Sequence, residues 1–570
     1  MSVSMDLTAF FDAAVEHHLL STSDRVLGEL TLRRAGVVGD VVTPVAVAVA
    51  LLARARDDGH SALSLSDLAA EASELACDLA VAVGTVDICA LLQSRDTAWW
   101  RSTLEAVPSV VPSVLVLHGS LLQFRRYFEA EQRIVVRIRD SLAHDGQRFR
   151  VITGGPGTGK TTRIAELLME TLARDPELRV ALAAPTGKAA ARLSESVQLR
   201  LDALEASPEV RACVPHSART LHRLLGYQPD RDRFWSRAGT PLPYDLVILD
   251  EASMVDVLLM DALIAALPAY ATLLLVGDQD QLSSVEAGDV LGAICRVAEE
   301  LGEGNALQSS VERLERSYRF EAHPAIGDAA SAILAGDAAA LTVVVHDAQR
   351  ADVRWAPAPH NRAELRALLV PHLEAYLATA TPAAALAALD GFRVLCAERE
   401  GIWGVSGINA EVERWLRSQG TVITEHWYHR RPVLVMANDY GTQLFNGDVG
   451  VAWEENGEML VHFTAPQGAT RAIQPARMPD TQTAWAMTVH KAQGSEFTNV
   501  IVMLAAKGSR VPGRELLYTA VTRAREQVLI VGDESVMRAA VSRTVKRGSG
   551  LEALLRGAMQ HTGATGESHG

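Results

Sequence analysis

The chain has 570 residues, far more than one ordinary domain, so we expect it to fold as several units with separate cores. Its 54 basic and 69 acidic residues give a formal net charge of −15, which excludes a protein that coats polyanions through its overall field. Any contact with nucleic acid must therefore use a local basic channel. The composition, 48% hydrophobic and 22% charged, is typical of globular proteins and not of disordered chains.

The five cysteines are odd in number, widely separated and without a Cys-x-x-Cys pair. This pattern argues against a disulfide framework, a zinc site and an iron–sulfur cluster, and it fits a reducing cytoplasm. The longest apolar run near the N-terminus, residues 41–53, is interrupted by Thr43 and Pro44 and lies too far along the chain for a signal peptide. We therefore expect a cytoplasmic protein with no membrane span.

Apolar stripes at helical spacing predict that residues 1–125 are mainly helical. From Phe149, short apolar strands alternate with helical stretches, which predicts a parallel sheet covered by helices on both faces. A second set of such strands begins at Phe392, so the predicted fold class is α/β with two lobes. Within the second lobe, short strands with Asn446-Gly447 and Asn456-Gly457 turns predict a small inserted β barrel.

A phosphate-binding loop follows the first of these strands. The sequence GGPGTGKTT matches G-x-x-x-x-G-K-[ST] between a strand and a helical stretch. The amides of such a loop cradle phosphates, its lysine reaches the β and γ oxygens, and the next hydroxyl holds Mg²⁺. The sequence therefore predicts an ATP and Mg²⁺ site that contains Gly154, Gly155, Pro156, Gly157, Thr158, Gly159, Lys160, Thr161 and Thr162.

Two further strands end in polar side chains that complete this chemistry. The strand 246–249 is followed by Asp250, which would order Mg²⁺, and Glu251, which would polarise the attacking water. Acidic residues also follow strands as helix caps, but their combination with the phosphate loop favours hydrolysis. After the strand 272–276, Gln281 in the sequence GDQDQL can hydrogen-bond the γ-phosphate and report its loss.

Lysine is rare in this chain, with only five among the 54 basic residues. Where arginine has replaced it almost everywhere, a surviving lysine marks a place that needs a compact ammonium. Lys160 lies in the phosphate loop, and two more lysines lie in loop-plus-helix segments that suit the phosphates of single-stranded DNA. The predicted DNA contacts in those segments are Thr186, Lys188, Thr488, His490 and Lys491.

Two adjacent aromatic residues, Phe234 and Trp235, lie in a polar stretch between Gly226 and Pro243. One interpretation is a short hairpin that splits duplex DNA. The other is that these aromatic rings pack against the first lobe. The sequence leaves both interpretations open.

The order of the motifs resembles one known family. GGPGTGKTT, APTGKAA, DEASMVD, GDQDQL, RSYRF, TVHKAQGSEF and LYTAVTRA cover roughly residues 130–533, and the chain resembles the RecD branch of the superfamily 1 (1B) helicases. The resemblance implies two RecA-like P-loop NTPase lobes with ATP between them. Its expected boundaries are a helical N-terminal domain for subunit contact at 1–125, lobe 1A at 126–325 with a hairpin near 227–243, and lobe 2A at 326–570 with an SH3-like insertion near 431–475.

The resemblance also implies roles for single residues. Gln132 would read adenine and Glu496 would face the ribose. Arg319 and Arg523 would act as arginine fingers on the γ-phosphate, since such fingers neutralise the charge that develops in phosphoryl transfer. Three further contacts to the DNA strand are implied at Thr220, His222 and Asn438.

The resemblance implies that the chain is an ATP-dependent motor that moves 5′ to 3′ at double-strand DNA ends, in a heterotrimer with RecB-like and RecC-like subunits. No acid-x-Lys sequence occurs in the chain, so the nuclease of such a complex must lie in a partner. The alternatives are a stand-alone 5′ to 3′ helicase and an ATPase-dead scaffold, and the intact set of ATP-site residues weakens the second. Ser283-Ser284 stands where the family more often has Pro-Pro, which sets this loop apart.

Overall fold

The computed structural model describes residues 7–37, 39–83, 87–143, 148–228, 231, 233–423, 427–439, 441–465, 469–504, 506, 512–544 and 547–562. Its N-terminal region consists of helices around one buried apolar helix, with a small antiparallel sheet at one side. The elements are α1 (Leu7–Glu16), α2 (Thr22–Ala35), α3 (Val42–Asp57), β1 (Leu63–Ser64), α4 (Leu65–Val83), α5 (Asp87–Leu92), α6 (Thr97–Glu105), β2 (Leu115–His118) and β3 (Leu121–Phe124).

Sequence-local signals explain how these helices begin and end. Ser21 and Asp24 form a reciprocal capping box at the start of α2, and Gly36 ends the helix in the left-handed conformation. Helix α3 is apolar on all sides because α2, α4 and α6 surround it.

Lobe 1 is built on a six-stranded parallel sheet with the order β11-β4-β10-β9-β5-β6. Every residue of the central strands β5 and β9 is buried, as expected where helices cover both faces. The elements are α7 (Arg125–Ala143), β4 (Phe149–Gly154), α8 (Lys160–Arg174), β5 (Val180–Ala184), α9 (Gly187–Ala203), α10 (Pro208–Cys213), β6 (Arg219–Thr220), α11 (Leu221–Leu225), β7 (Tyr227–Gln228), β8 (Arg233–Phe234), β9 (Leu246–Leu249), α12 (Val257–Ala266), β10 (Thr272–Gly277), α13 (Val290–Leu301), α14 (Ala306–Ser309) and β11 (Val311–Leu314).

Lobe 2 repeats this design with a five-stranded parallel sheet of order β12-β21-β20-β13-β19. Its elements are α15 (Pro324–Ala335), α16 (Ala338–His346), β12 (Val353–Ala356), α17 (Arg362–Leu377), α18 (Pro382–Gly391), β13 (Phe392–Cys396), α19 (Val405–Ser418), β19 (Ala486–Thr488), β20 (Phe497–Met503), α20 (Arg514–Val521), β21 (Ala524–Val531) and α21 (Glu534–Ser542). The two parallel sheets are those of RecA-like α/β lobes.

A second, antiparallel sheet is inserted between α19 and β19. Its strands are β14 (Pro432–Val435), β15 (Val449–Glu455), β16 (Glu458–Thr464), β17 (Thr470–Ile473) and β18 (Thr481–Thr483), in the order β17-β16-β15-β14-β18. It has a small core of its own around Val433, Val461 and Phe463. Asn456 and Gly457 both have positive φ in the β15–β16 turn, which is the conformation that an Asn-Gly hairpin turn requires.

The last helix, α22 (Leu551–Thr562), packs against α7 and α13, although the sequence assigned its residues to the second lobe. Leu551, Leu555 and Met559 are buried in the core shared by lobe 1 and the N-terminal region. After α21 the chain therefore leaves lobe 2 and packs against lobe 1 and the N-terminal region. None of the helices that the structure describes is long and apolar enough to cross a membrane.

Candidate nucleotide and DNA sites between the lobes

The phosphate loop lies at the carboxyl end of β4, inside the parallel sheet of lobe 1. Gly157 and Gly159 adopt φ of 75° and 89°, which side chains rarely tolerate, and α8 begins at Lys160 without a side-chain cap. The first amides of α8 are thus available to an anion. Lys160 Nζ donates to the carbonyl oxygens of Gly154, at 2.5 Å, and Gly155, at 3.0 Å. The phosphate oxygens of a bound nucleotide would compete with these two carbonyl oxygens for the Lys160 ammonium.

The acidic pair lies at the end of β9, beside the phosphate loop. Asp250 is partly exposed, but the desolvation of its carboxyl group together with the neighbouring Glu251 carboxylate raises its pKa to about 7. Its Oδ1 accepts from the Glu251 amide at 2.9 Å, and Glu251 has a φ of 52°. A carboxylate in this setting fits a divalent cation, because the cation restores the charged form. Thr161 and Asp250 are the hard oxygen ligands that would hold Mg²⁺.

A buried carboxylate that we did not assign from sequence, Asp278, links this site to lobe 2. It follows β10 and is 1% exposed. Its Oδ2 accepts from Gln281 Nε2 at 2.9 Å and from the Tyr518 hydroxyl of α20 at 3.1 Å. Gln281, the predicted γ-phosphate sensor, is thus bonded to the Asp278 carboxylate, which also accepts from Tyr518 of the other lobe. Asp278 and Tyr518 both lie inside motifs that the sequence shows, GDQDQL and LYTAVTRA.

Arg319 lies beside the phosphate loop and forms an ion pair across the cleft. The segment just before it is held by two hydrogen bonds, from the Tyr318 amide to Gly157 O and from Ser317 Oγ to Pro156 O. Arg319 Nη2 lies 2.7 Å from Glu496 Oε1. Burial opposes the charge of Glu496, but Arg319 and the nearby Arg523 and Arg192 hold its pKa below its ordinary value.

The other two predicted nucleotide contacts have different surroundings. Arg523 is 2% exposed and donates to the backbone oxygens of Thr519 and Ser495, both at 3.2 Å. It therefore joins the end of α20 to the segment that carries Glu496. Gln132 is exposed on α7. Its role with adenine stays a prediction.

The predicted DNA contacts of lobe 1 lie at the starts of two helices. Thr186 caps α9 by accepting from the Ala189 amide at 3.2 Å, and Thr220 caps α11 by accepting from the Arg223 amide at 3.3 Å. Lys188 lies 3.9 Å from Asp390 of lobe 2, and burial lowers its pKa to about 8. Each of these residues has a structural role besides any contact with a strand.

The inserted sheet reaches across to these residues through its loop before β15. The Phe445 ring lies against Gly187, where a Cβ would come within 2.7 Å of it, and the Arg223 guanidinium lies 4.4 Å from its centre. In the same loop, Asn446 Oδ1 accepts from Lys491 Nζ at 2.8 Å and the Asn446 amide donates to Asn438 Oδ1 at 2.9 Å. Two neighbours of the predicted lobe 1 contacts, Gly187 and Arg223, thus meet the predicted lobe 2 contacts Lys491 and Asn438 at one loop.

The remaining two contacts of lobe 2 are held locally. Thr488 Oγ1 accepts from the Lys491 amide at 3.3 Å. His490 is largely buried, and this burial, together with the charge of Arg547, lowers its pKa. Thr488 is the last residue of β19, and His490 lies in the segment that connects β19 with β20.

The stretch with the two aromatic residues contains a hairpin in which β7 and β8 pair antiparallel; residues 229, 230 and 232 at its tip lie outside the described residues. The Phe234 ring packs with His222, at 5.8 Å between centroids, and with Tyr227, at 5.4 Å. Burial lowers the pKa of His222. Trp235, by contrast, is 62% exposed. One ring therefore packs on lobe 1 and the other is open to solvent.

Comparisons with known proteins agree with this geometry. A family model described as an AAA domain matches residues 142–287, and one described as a UvrD-like helicase C-terminal domain matches residues 483–531. The RecBCD enzyme subunit RecD of Mycolicibacterium smegmatis is 40% identical over 560 residues, which covers 88% of this chain and 97% of the relative. The chain belongs to the RecD family of superfamily 1 helicases. It is an ATP-dependent DNA helicase.

Other members of the RecD family are more distant. RecD of Haemophilus influenzae is 32% identical, over 71% of this chain and 70% of the relative. The ATP-dependent RecD2 DNA helicase of Deinococcus radiodurans is 34% identical, over 74% of this chain and 51% of the relative. Among solved structures, a Pif1 helicase from Bacteroides matches with a TM-score of 0.38 at 16% identity, over 77% of this chain and 97% of the other.

The loop 282–288 is shaped by hydrogen bonds from one serine. The Ser284 hydroxyl donates to Glu286 O at 2.8 Å and to Gly288 O at 3.2 Å. These bonds fold the loop on itself.

Proposed function

We propose that the chain is the 5′ to 3′ DNA motor of a RecBCD-type helicase and nuclease complex that acts at double-strand DNA ends. The observation that carries this proposal is the set of bonds that join the ATP site of lobe 1 to α20 of lobe 2. Tyr518 donates to Asp278, and Thr519 Oγ1 accepts from the Leu282 amide at 2.8 Å. A change at the γ-phosphate can therefore move one lobe relative to the other.

In this proposal ATP binds between the lobes, with its phosphates on the loop 154–159 and on Lys160. Mg²⁺, held by Thr161 and Asp250, would neutralise charge on the phosphates. Glu251 orients the attacking water. Arg319 already lies beside the phosphate loop, whereas Arg523 approaches from the lobe 2 side when the lobes close. Gln132 and Glu496 contact the base and the ribose.

Single-stranded DNA would lie across both lobes, on the residues that meet at Phe445 and Asn446. These contacts are with the backbone, through hydroxyls, amides and the two lysines, so the motor accepts any sequence. The inserted five-stranded sheet would be the SH3-like module that covers the strand. The hairpin with Trp235 would meet the duplex ahead of the motor.

We also propose that the partners are RecB-like and RecC-like subunits, because the relatives are named as RecBCD enzyme subunits and the chain covers 97% of one of them. The helical N-terminal region would make the subunit contact. It carries exposed apolar side chains on α2 and α4, where Val26, Leu30 and Val81 are 50%, 40% and 89% exposed. The nuclease would belong to a partner.

The deciding experiment is ATP hydrolysis by the purified chain with and without single-stranded DNA, at a stated salt concentration. The Lys160→Gln variant is measured beside it, with thermal unfolding to show that it folds. Strong stimulation by DNA that is absent in Lys160→Gln supports the motor. Wild-type turnover in Lys160→Gln would refute the assignment of the ATP site.

A second candidate, a stand-alone helicase, is favoured by the 34% identity to RecD2. Unwinding of a 5′-tailed duplex by the single chain would support it. A motor that unwinds this duplex only after RecB-like and RecC-like subunits are added supports the subunit assignment. A 3′-tailed duplex serves as the control for polarity in both cases.

A further inference from the structure

The loop 282–288, which follows the predicted γ-phosphate sensor, is attached at both ends to different parts of the molecule. At its start, both backbone polar groups of Leu282 bond to lobe 2. The Leu282 amide donates to Thr519 Oγ1, and the Leu282 carbonyl oxygen accepts from Gln493 Nε2. At its end, the Gly288 amide donates to Gly59 O of the N-terminal region at 3.0 Å. The loop therefore spans from lobe 2 to the N-terminal region.

Arg547 holds the second end of this loop. Its Nη1 donates to Glu286 O at 3.0 Å and to Gly288 O at 3.4 Å. The guanidinium lies against Gly59, where a Cβ would come within 2.7 Å of its Cζ. Burial lowers the pKa of Arg547. A half-buried arginine thus donates to two backbone oxygens of the loop.

The residues after Arg547 fix it to the N-terminal region. We call residues 547–550 the C-terminal strap. The Gly548 amide donates to His60 Nδ1 at 2.8 Å, and Gly548 O accepts from the amides of Ser61, at 2.9 Å, and Ala62, at 3.1 Å. Through these bonds the strap runs along the segment 60–62 and does not hang free.

A buried carboxylate, Glu131 of α7, secures the next residue of the C-terminal strap. Its Oε1 accepts from Ser549 Oγ at 3.0 Å and from Ser61 Oγ at 2.6 Å, and its Oε2 accepts from Gln123 Nε2 at 2.8 Å. Helix α22 follows at once and is buried against α7 and α13. The strap, lobe 1 and the N-terminal region are therefore one packed unit.

We infer that Arg547 is a positioning residue that anchors the loop 282–288, so that movement of lobe 2 is converted into movement of Gln281. A loop bonded to lobe 2 alone would follow that lobe as a unit. A loop held at its far end must instead change shape between Leu282 and Gly288, next to the Asp278–Gln281 pair. This inference rests on the proposed function, because the movement of lobe 2 is the response to DNA.

The inference predicts which steps of the ATPase cycle depend on Arg547. The residue lies outside the ATP site, so ATP binding and turnover without DNA do not need it. Stimulation by DNA does need it, because that step requires a signal to pass through the loop. Arg547 and the loop 282–288 also connect the N-terminal region, which carries the proposed subunit contact, to the ATP site.

The test compares three full-length variants. Arg547→Gln removes the charge and most of the N–H donors, whereas Arg547→Lys keeps a cation that can reach a carbonyl. Ser549→Ala is the matched control, since it weakens the C-terminal strap at Glu131 and leaves the loop's own bonds in place. For each variant, kcat and KM for ATP are measured with and without single-stranded DNA, together with the thermal unfolding midpoint.

We expect Arg547→Gln to lose about tenfold of the stimulation by DNA, which corresponds to ~1.4 kcal/mol of coupling. Turnover without DNA and KM for ATP should stay within about twofold of wild type, a change worth under ~0.5 kcal/mol. Ser549→Ala should keep the stimulation, and Arg547→Lys should recover part of it. Equal losses in Arg547→Gln and Ser549→Ala, or normal stimulation in Arg547→Gln, would overturn the inference.

Hydrogen exchange gives a readout that does not depend on DNA. The Gly288 amide should exchange faster in Arg547→Gln than in wild type or Ser549→Ala, because its loop has lost an anchor. Unchanged exchange would overturn the inference by itself. A wild-type chain with no stimulation by DNA would instead contradict the proposed function, and the exchange result would still decide about the anchor.

Discussion

Arg319 and Glu496 form an ion pair, with Nη2 and Oε1 separated by 2.7 Å. The family resemblance assigns Arg319 to the γ-phosphate and Glu496 to the ribose. These two residues, which are expected to contact different parts of the nucleotide, here bind each other. A nucleotide that engages both must separate them. In the proposed function, ATP would therefore separate this pair and free a positive charge next to the phosphate loop.

Replacing Arg319 with alanine should leave ATP binding intact and lower kcat by about 10³-fold, because an arginine finger acts mainly on the charge of the transition state. Turnover assays and binding of a fluorescent ATP analogue measure the two effects separately. Arg316→Ala is the control, because Arg316 lies nearby but is exposed and pairs with Glu321. A kcat close to wild type in Arg319→Ala would remove the residue from catalysis.

The raised pKa of Asp250 predicts how stability changes with pH when divalent cations are absent. Its folded pKa is about 7 against an ordinary 3.8, so the fold favours the protonated form. The stability of the wild type should fall as the pH rises from about 4 to about 7, and Asp250→Asn should lack this component. Thermal unfolding of both proteins at pH 5.5 and pH 8 tests the sign. Parallel changes in the two proteins would contradict it.

Trp235 and Phe234 allow the two interpretations of the hairpin to be separated. Trp235→Ala should lower duplex unwinding while ATP turnover on single-stranded DNA stays near wild type, since in the proposed arrangement the exposed ring would contact only the duplex. Phe234→Ala should instead lower stability by about 3 kcal/mol or somewhat less, as expected for a partly buried aromatic ring. Strand-displacement assays and thermal unfolding provide the measurements. Full unwinding by Trp235→Ala would show that the hairpin does not split the duplex.

Tyr518→Phe removes only the hydroxyl that joins α20 to Asp278. We expect KM for ATP to change little and kcat in the presence of DNA to fall about tenfold, because a hydrogen bond to a charged group contributes ~1.5–3 kcal/mol. The backbone and the ring stay in place, so the variant should fold. Val521→Ala, a buried substitution on the same helix, controls for a general loosening of α20. If both variants lose the same activity, the hydroxyl has no special part in coupling.

The residues of the proposed ATP site could be predicted from the sequence alone. Lys160 and Thr161 are placed by one short loop between a strand and a helix, and Asp250 and Glu251 by the end of one strand. Parallel strands bring their carboxyl ends to one edge of the sheet, so motifs far apart in the chain were expected to meet there. The order of motifs also indicated the family, which the comparisons confirmed.

Which side chains pair across the lobes could be seen only in the folded molecule. Arg319 meets Glu496 and Asp278 meets Tyr518 over separations of more than 170 residues, and nothing local in the sequence specifies these partners. The same holds for Arg547, which reaches the loop 282–288 because α22 buries its apolar face against α7 and α13. Local geometry follows from neighbouring residues, whereas such pairings depend on how the finished lobes pack together.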